Sequence, residues 1–159
     1  MPAVIRRARP ADLDDLLPLF LGYLDFYAVA ADEVQARHYL GAHLEAGSAT
    51  VLLADLDGVG DPEDGAGGGP AGMAILYPTW DSLAMSRRWI LHDLFVAPEA
   101  RRQGVGRALI DACLSLARST SATSVSLDTA RDNQAAQALY EHTGFERDEV
   151  FVAYHHDLT

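Results

Sequence analysis

The stretch "LHDLFVAPEARRQGVGRALI" (Leu91–Ile110) decides how the chain is read. Its first residues are almost all apolar, as expected of a strand covered on both faces. Arg101, Arg102, Gln103 and Arg107 then crowd around Gly104 and Gly106, and an apolar helix follows. Strand, glycine-bearing loop and helix in that order make a device for holding phosphate. The first turn of a helix has N–H groups without intrahelical acceptors. The helix dipole adds partial positive charge at the same end. Glycine lets a ligand approach the backbone, and arginine grips phosphate bidentately. A diphosphate is the natural guest.

The rest of the chain makes that cluster an exception. The 159 residues carry 12 Arg, no Lys and 23 Asp plus Glu, for a net charge of -11. Such a surface repels nucleic acid and attracts cations. The length suits one domain, residues 1–159. Hydrophobic residues are 49% of the chain and charged residues 22%, ordinary for a globular protein. No apolar run reaches the roughly 18 residues that span a bilayer. "MPAVIRRARPADLDD" lacks the apolar core of a signal peptide, so a cytoplasmic protein is expected. The one cysteine, Cys113, sits among apolar neighbours and reads as a core residue. It excludes an internal disulfide and a cysteine-based zinc site, and no metal is expected.

Outward from the opening stretch, apolar and turn patterns predict strands over 3–8, 50–56, 71–78, 89–96, 123–129 and 145–158. Helices are predicted from Pro10 to about Tyr27, and over 31–47, 104–119 and 133–144. Asp132 is the expected N-cap of the last helix and Gly144 its C′ residue. Residues 79–88 read as an irregular link. Residues 57–70, "DGVGDPEDGAGGGP", read as a flexible, acidic, glycine-rich hairpin loop. Four acids and no Arg or Lys exclude phosphate binding there. The sum is a single α/β domain.

Two phosphate-binding families fail at once. A P-loop needs a lysine, and the dinucleotide fingerprint G-x-G-x-x-G breaks at Leu109. Arg101-Arg102-Gln103-Gly104-Val105-Gly106 instead resembles the R/Q-x-x-G-x-G/A signature of the GCN5-related N-acetyltransferase (GNAT) superfamily. "TARDNQAAQALYEHTGFERD" (129–148) resembles its second block, with Asn133, Tyr140 and Gly144-Phe145 in place. "LDFYAVAADEV" (24–34) and "ILYPTWDSL" (75–83) are similar to the Hpa2-type subgroup. The glycine-rich insertion is the main departure.

The resemblance implies a GNAT fold: a mixed, mostly antiparallel, splayed sheet of about six to seven strands flanked by about four helices. It implies acetyl-CoA as co-substrate. Backbone near Leu94 and Val96 would take the pantetheine arm like an added strand, and amides from Gln103 through Gly104, Val105 and Gly106 to Arg107 would take the diphosphate, with Arg101 and Arg102 beside them. Asn133 would bond the pantetheine amides, Ala136 would let the arm pass, and the Tyr140 hydroxyl would lie near the sulfur as general acid. An amide at Leu94 or Phe95 would polarise the thioester.

Acetylating an amine first requires removing a proton. An alkyl ammonium of pKa ~10.4 is neutral in only about one part in ~2,500 at pH 7, a cost of roughly 4.6 kcal/mol. A positioned base contributes ~10²–10⁴-fold. His92 is the candidate, since an imidazole of pKa near ~6.5 suits that task and relatives often carry a base on this strand. The alternative is a satisfied core histidine. By strand parity residues 90, 92, 94 and 96 share one face and Asp93 points to the other, to a structural role or to a cationic substrate. Aromatics Tyr23, Phe26, Tyr27, Tyr77, Trp80 and Tyr154, with acids Asp25, Asp32, Glu33 and Asp81, are candidate lining for a cationic acceptor. His155 and His156 face opposite ways in a strand and make a poor metal pair. The expected activity is transfer of acetyl to a primary amine by direct attack: a small cationic amine, polyamine or amino-acid-like metabolite, with a protein lysine or N-terminus second. A non-catalytic acyl-CoA sensor is the rival. The last strand suggests a homodimer.

Overall fold

A computed structural model describes residues 2–57 and 69–159. The chain divides into two compact units, Met1–Asp128 and Thr129–Thr159. Most of the loop predicted over 57–70 lies outside the described residues.

In the first unit, five strands form one sheet in the order β1-β2-β3-β4-β5. They are β1 (Val4–Arg7), β2 (Thr50–Leu56), β3 (Gly69–Asp81), β4 (Ser86–Val96) and β5 (Ser124–Ser126). The first four pair antiparallel, and β5 joins β4 in parallel through three residue pairs only. Beyond Ile90, among the described residues, no strand pairs with β4 on its outer edge.

Among the described residues, three α-helices belong to this unit: α1 (Leu13–Phe26), α2 (Glu33–Ala46) and α3 (Val105–Ser119). In α1 the apolar spacing buries Leu16, Leu17, Leu19 and Phe20. Asp32 caps α2 by accepting from the Val34 and Gln35 amides, and Gly47 ends it at φ +63°. In α3, Val105, Leu109, Ile110, Cys113 and Ala117 keep helical spacing and are buried. Each large apolar side chain so buried contributes about 1.5–3 kcal/mol.

Two glycines show which helix covers which face. A Cβ on Gly72 would meet Val105 and Leu109 of α3, so that face of β3 takes α3. A Cβ on Gly22 of α1 would meet the Phe95 ring at 2.9 Å, so Phe95 faces α1. Residues paired across an antiparallel ladder share a face. Met73, Ile75, Tyr77 and Thr79 therefore look to the same side as Phe95, Asp93, Ile90 and Arg88.

The second unit contains α4 (Gln134–His142), capped by the Asn133 side chain on the Ala136 amide at 3.1 Å. Asp132, the expected cap, lies one residue too early. Gly144 sits at φ +91° just beyond the helix, as expected of that position.

The strand count is five among the described residues, not six to seven. No strand forms over 145–158. The alternating pattern is there, but Asp148 bonds the Val150 and Phe151 amides in a local turn. Val150, Phe151, Val152 and Tyr154 are exposed, so nothing in the unit rewards an extended ladder. Residues 79–88, expected to be irregular, are instead mostly hairpin. Asp81 Oδ1 accepts from the Leu83 and Ala84 amides and reverses the chain, which lets Thr79-Trp80-Asp81 pair with Ser86-Arg87-Arg88.

Candidate active site

The centre of the site is a defect in β4. Leu76 pairs with Leu91 and Ile75 with Asp93, so His92 is an extra residue in the strand. Such a bulge bends the strand and turns side chains away from simple alternation. Strand parity put Ile90 and Leu94 on one face. The bulge separates them, since Ile90 pairs with Tyr77 and Leu94 with Ala74. It also draws the two neighbours together: His92 Nδ1 lies 3.4 Å from Asp93 Oδ1. The imidazole is largely open, at 63% side-chain exposure, whereas the carboxylate retains only 9%.

An aromatic wall stands over this pair. The His92 ring meets Tyr77 edge-on at 5.5 Å, Tyr77 meets His43, and His43 meets Tyr39. Tyr39 stacks on Phe20, and Phe20 on Tyr23. The Tyr39 and Tyr77 hydroxyls share a 2.7 Å hydrogen bond. Burial, that bond and the Asp93 charge push the Tyr77 hydroxyl far above the ordinary phenol range, so it stays protonated. His43 Nδ1 is tied to Ser48 Oγ at 2.6 Å. Tyr39 and His43 escaped the sequence reading. Their i, i+4 spacing on α2 marks one helix face, but nothing in it says which strand that face meets.

Trp80 does not belong to this wall. Trp80 pairs with Arg87, which puts it on the face opposite Tyr77; Arg87 stacks on it at 5.5 Å. Asp32 and Asp81 are occupied as a helix cap and a turn former. Phe26 and Tyr27 are exposed at the end of α1, where the Tyr27 ring meets Tyr23 at 5.1 Å and Phe26 at 5.2 Å and so continues the aromatic wall. Tyr154, His155 and His156 are exposed in the second unit, and among the described residues no His, Cys, Asp and Glu group could hold a metal ion.

From the bulge β4 runs through Leu94, Phe95 and Val96 into the loop. Pro98–Ala100 form a short 3-10 turn, and Arg102 and Gly104 take left-handed φ of 62° and 81°. Gly104 is the N-cap of α3 and has no side chain to satisfy the first-turn amides. Arg101 Nε holds the Val96 carbonyl at 3.1 Å and its guanidinium lies over the Phe95 ring. Gln103 is pinned to the Glu99 carbonyl, and Arg107 lies 3.7 Å from Asp111. Open amides with guanidinium groups around them suit a diphosphate.

In the second unit Asn133 Oδ1 is used in capping, which leaves its NH₂ group as a donor. Ala136 is one turn on, and the Tyr140 ring meets Phe145 at 5.9 Å. Cys113 is fully buried and burial pushes its thiol up to about 12, which removes it as a nucleophile.

Residues 18–145 match the family described as Acetyltransferase (GNAT) family. Over 150 residues, 94% of both chains, the sequence is 37% identical to the uncharacterized N-acetyltransferase YhfO of Bacillus subtilis (strain 168). A crystal structure of a probable acetyltransferase superposes with a TM-score of 0.87 at 35% identity, covering 98% of each chain. The ribosomal-protein-alanine N-acetyltransferase of Brucella melitensis biovar Abortus 2308 has the same fold, with a TM-score of 0.73 at 20% identity over 97% of this chain and 99% of that one.

Proposed function

The chain belongs to the GNAT family of acetyl-CoA-dependent N-acetyltransferases, and on that premise we propose that it acetylates a primary amine bound against Tyr77, His92 and Asp93. The observation that carries this reading is the β4 bulge, which brings an open imidazole and a buried carboxylate together on the strand leading into the 101–107 loop. The acceptor is a small amine or amino-acid-like metabolite; a protein amine is second.

Acetyl-CoA supplies an acyl thioester when bound. The amides from Gln103 to Arg107, with Arg101 and Arg102, hold its diphosphate. Beyond Ile90, where among the described residues β4 has no outer strand, Leu94 and the Val96 amide offer backbone groups to an extended arm, and a Leu94 or Phe95 amide serves as oxyanion donor. Asn133 and Ala136 keep their assignment to that arm from the motif in which they sit. His92 takes the proton from the acceptor ammonium, directly or through water. Asp93 orients the imidazole and compensates the charge it gains. Tyr77, held protonated, donates a hydrogen bond and offers its ring face to a cation. Tyr140 is assigned the proton for the departing thiolate by its motif. A nucleophilic cysteine is not used, so attack is direct.

Incubation with acetyl-CoA and a panel of primary amines, read by thiol release and by mass spectrometry of the amine, tests the proposal. Acetylated amine with stoichiometric thiol is expected. Coenzyme binding without turnover would replace the enzyme by a sensor. We also propose a cytoplasmic homodimer, supported by the exposed apolar run Val150, Phe151 and Val152. A monomeric mass in light scattering would overturn it. No described helix is long and apolar enough to cross a membrane.

A further inference from the structure

Arg88 lies on the same face of β4 as Asp93. Ile75 pairs with Asp93, Tyr77 with Ile90 and Thr79 with Arg88, so Asp93, Tyr77 and Arg88 follow one another along one side of the sheet. The two charged residues are separated by the four-residue step from Ile75 to Thr79, ~13 Å at ~3.3 Å per residue. Tyr77 stands midway.

Both ends of this row are electrically incomplete. The Asp93 carboxylate is nine-tenths buried, and among the described residues its ion pair is the 3.4 Å approach of His92. Among the described residues, Arg88 Nε is buried without a hydrogen-bond partner and Arg88 forms no ion pair. Among the described residues only Arg6, Arg9, Arg37 and Arg107 of the arginines form ion pairs, so what marks Arg88 is its buried, unpartnered Nε. A buried, unmade guanidinium bond carries a desolvation cost that a matching anion relieves. Its neighbour Arg87 does not share the position, because it points to the other face and stacks on Trp80.

We propose that Arg88 is a specificity-determining residue and that the acceptor is a zwitterion: an amine that docks between Asp93 and His92, joined by a spacer along Tyr77 to a carboxylate received by Arg88. The inference rests on the acetyltransfer reading above and narrows it. A spacer of several methylenes or an equivalent peptide unit fits the span. A diamine or polyamine of that length would set its second ammonium against the guanidinium and is disfavoured. One proton moves from the acceptor ammonium to His92, the nitrogen lone pair forms the new amide bond as the carbon–sulfur bond breaks, Tyr140 gives its proton to the thiolate, the second nitrogen proton restores Tyr140 through water, and His92 releases its proton to solvent. Arg88 takes no part in those steps.

The test compares ω-amino acids, diamines and simple alkylamines of increasing matched length, by thiol release, in wild type, Arg88→Gln and Arg88→Lys. In wild type, ω-amino acids of one preferred length should show KM at least about tenfold below the matching diamines. Arg88→Gln should raise KM for the amino acids by about 10- to 100-fold, in line with loss of a charge-assisted bidentate contact, with kcat nearly unchanged. Alkylamine kinetics should move less than about twofold, and Arg88→Lys should recover part of the loss. Diamine preference in wild type, or an equal effect of Arg88→Gln on every acceptor, would overturn the proposal. Failure of wild type to acetylate any amine, alkylamines included, would instead remove the acetyltransfer reading and this inference with it. Should Arg88→Gln fail to fold, the wild-type length and charge series decides alone.

Discussion

Gly72→Ala tests how the sheet supports the loop. Gly72 sits where β3, β4 and the start of α3 meet. A Cβ there would lie 2.9 Å from the Phe95 carbonyl oxygen, 3.1 Å from Val105 Cγ1 and 3.2 Å from Leu109 Cδ1. Ordinary contact begins at 3.4 Å, so the shortfalls are 0.5, 0.3 and 0.2 Å. The largest is against backbone, which cannot rotate away. Overpacking of this kind costs about 1–3 kcal/mol. For a domain of this size that is roughly 2–12 °C in melting temperature, at about 2–4 °C per kcal/mol. Relief has two routes: the Phe95–Val96 segment moves off β3, or the first turn of α3 moves off the sheet. Either one shifts the groups proposed to meet acetyl-CoA. The expected result is therefore a lower melting temperature together with a KM for acetyl-CoA raised several-fold, the acceptor KM changing less. Calorimetry and initial-rate kinetics read both. A variant that melts within about 1 °C of wild type with unchanged acetyl-CoA KM would refute the reasoning, since it would mean that the junction has slack.

His92→Gln should lower kcat/KM at pH 7 by about 10²–10³-fold. The deficit should shrink as pH approaches the amine's own ~10.4, where no base is needed; a loss constant across pH would argue for a structural histidine. Arg6→Met should cost about 1–3 kcal/mol in a denaturant titration. Arg6 bonds Asp12 at 2.7 Å, Asp15 at 3.0 Å and Asp55 at 2.6 Å, and its half-open position discounts the figure. Burial works against the Asp12 carboxylate, but the Arg9 amide and the Arg6 guanidinium outweigh it and hold its pKa below the usual 3.8. A depressed folded pKa gives stability that is full above the unfolded value and is lost as pH falls through the folded one. Acid unfolding should therefore steepen below about pH 4, and Arg6→Met should flatten that limb. Cys113 should resist iodoacetamide in the native state and react on unfolding, followed by intact mass; labelling of the folded protein would contradict its burial.

Periodicity sufficed for the helices. Leu13, Leu16, Leu17 and Phe20, and later Leu109, Ile110 and Cys113, repeat at a spacing only a helix buries on one side. The shape of the 101–107 loop was legible for a similar reason, because it is local: glycine, arginine and a helix start are contiguous in the chain. The acceptor side was not. A bulge is a relation between two strands, so nothing in "WILHDLFV" alone reveals that His92 is the extra residue. Tyr77 and Trp80 looked equivalent as aromatics three apart, yet an odd step in a strand sends them to opposite faces. Tyr39 and His43 gain meaning only from the strand that α2 covers. The error at 145–158 has the opposite cause: alternation was present, but strand formation depends on a partner edge, and Asp148 captured the amides first. Asn133 displaced Asp132 as cap because both residue types serve and only backbone geometry chooses.

The three-pair union of β4 with β5 has a wider consequence. From Leu91 onward, among the described residues, one flank of a mostly apolar strand ends without a ladder. The carbonyls and N–H groups proposed to receive a coenzyme are equally adhesive toward any stray extended peptide. Susceptibility to clumping and competence for turnover are thus written into the same few residues. Saturating coenzyme should act as a chaperone for this protein, suppressing heat-induced turbidity beyond what its shift in melting temperature explains.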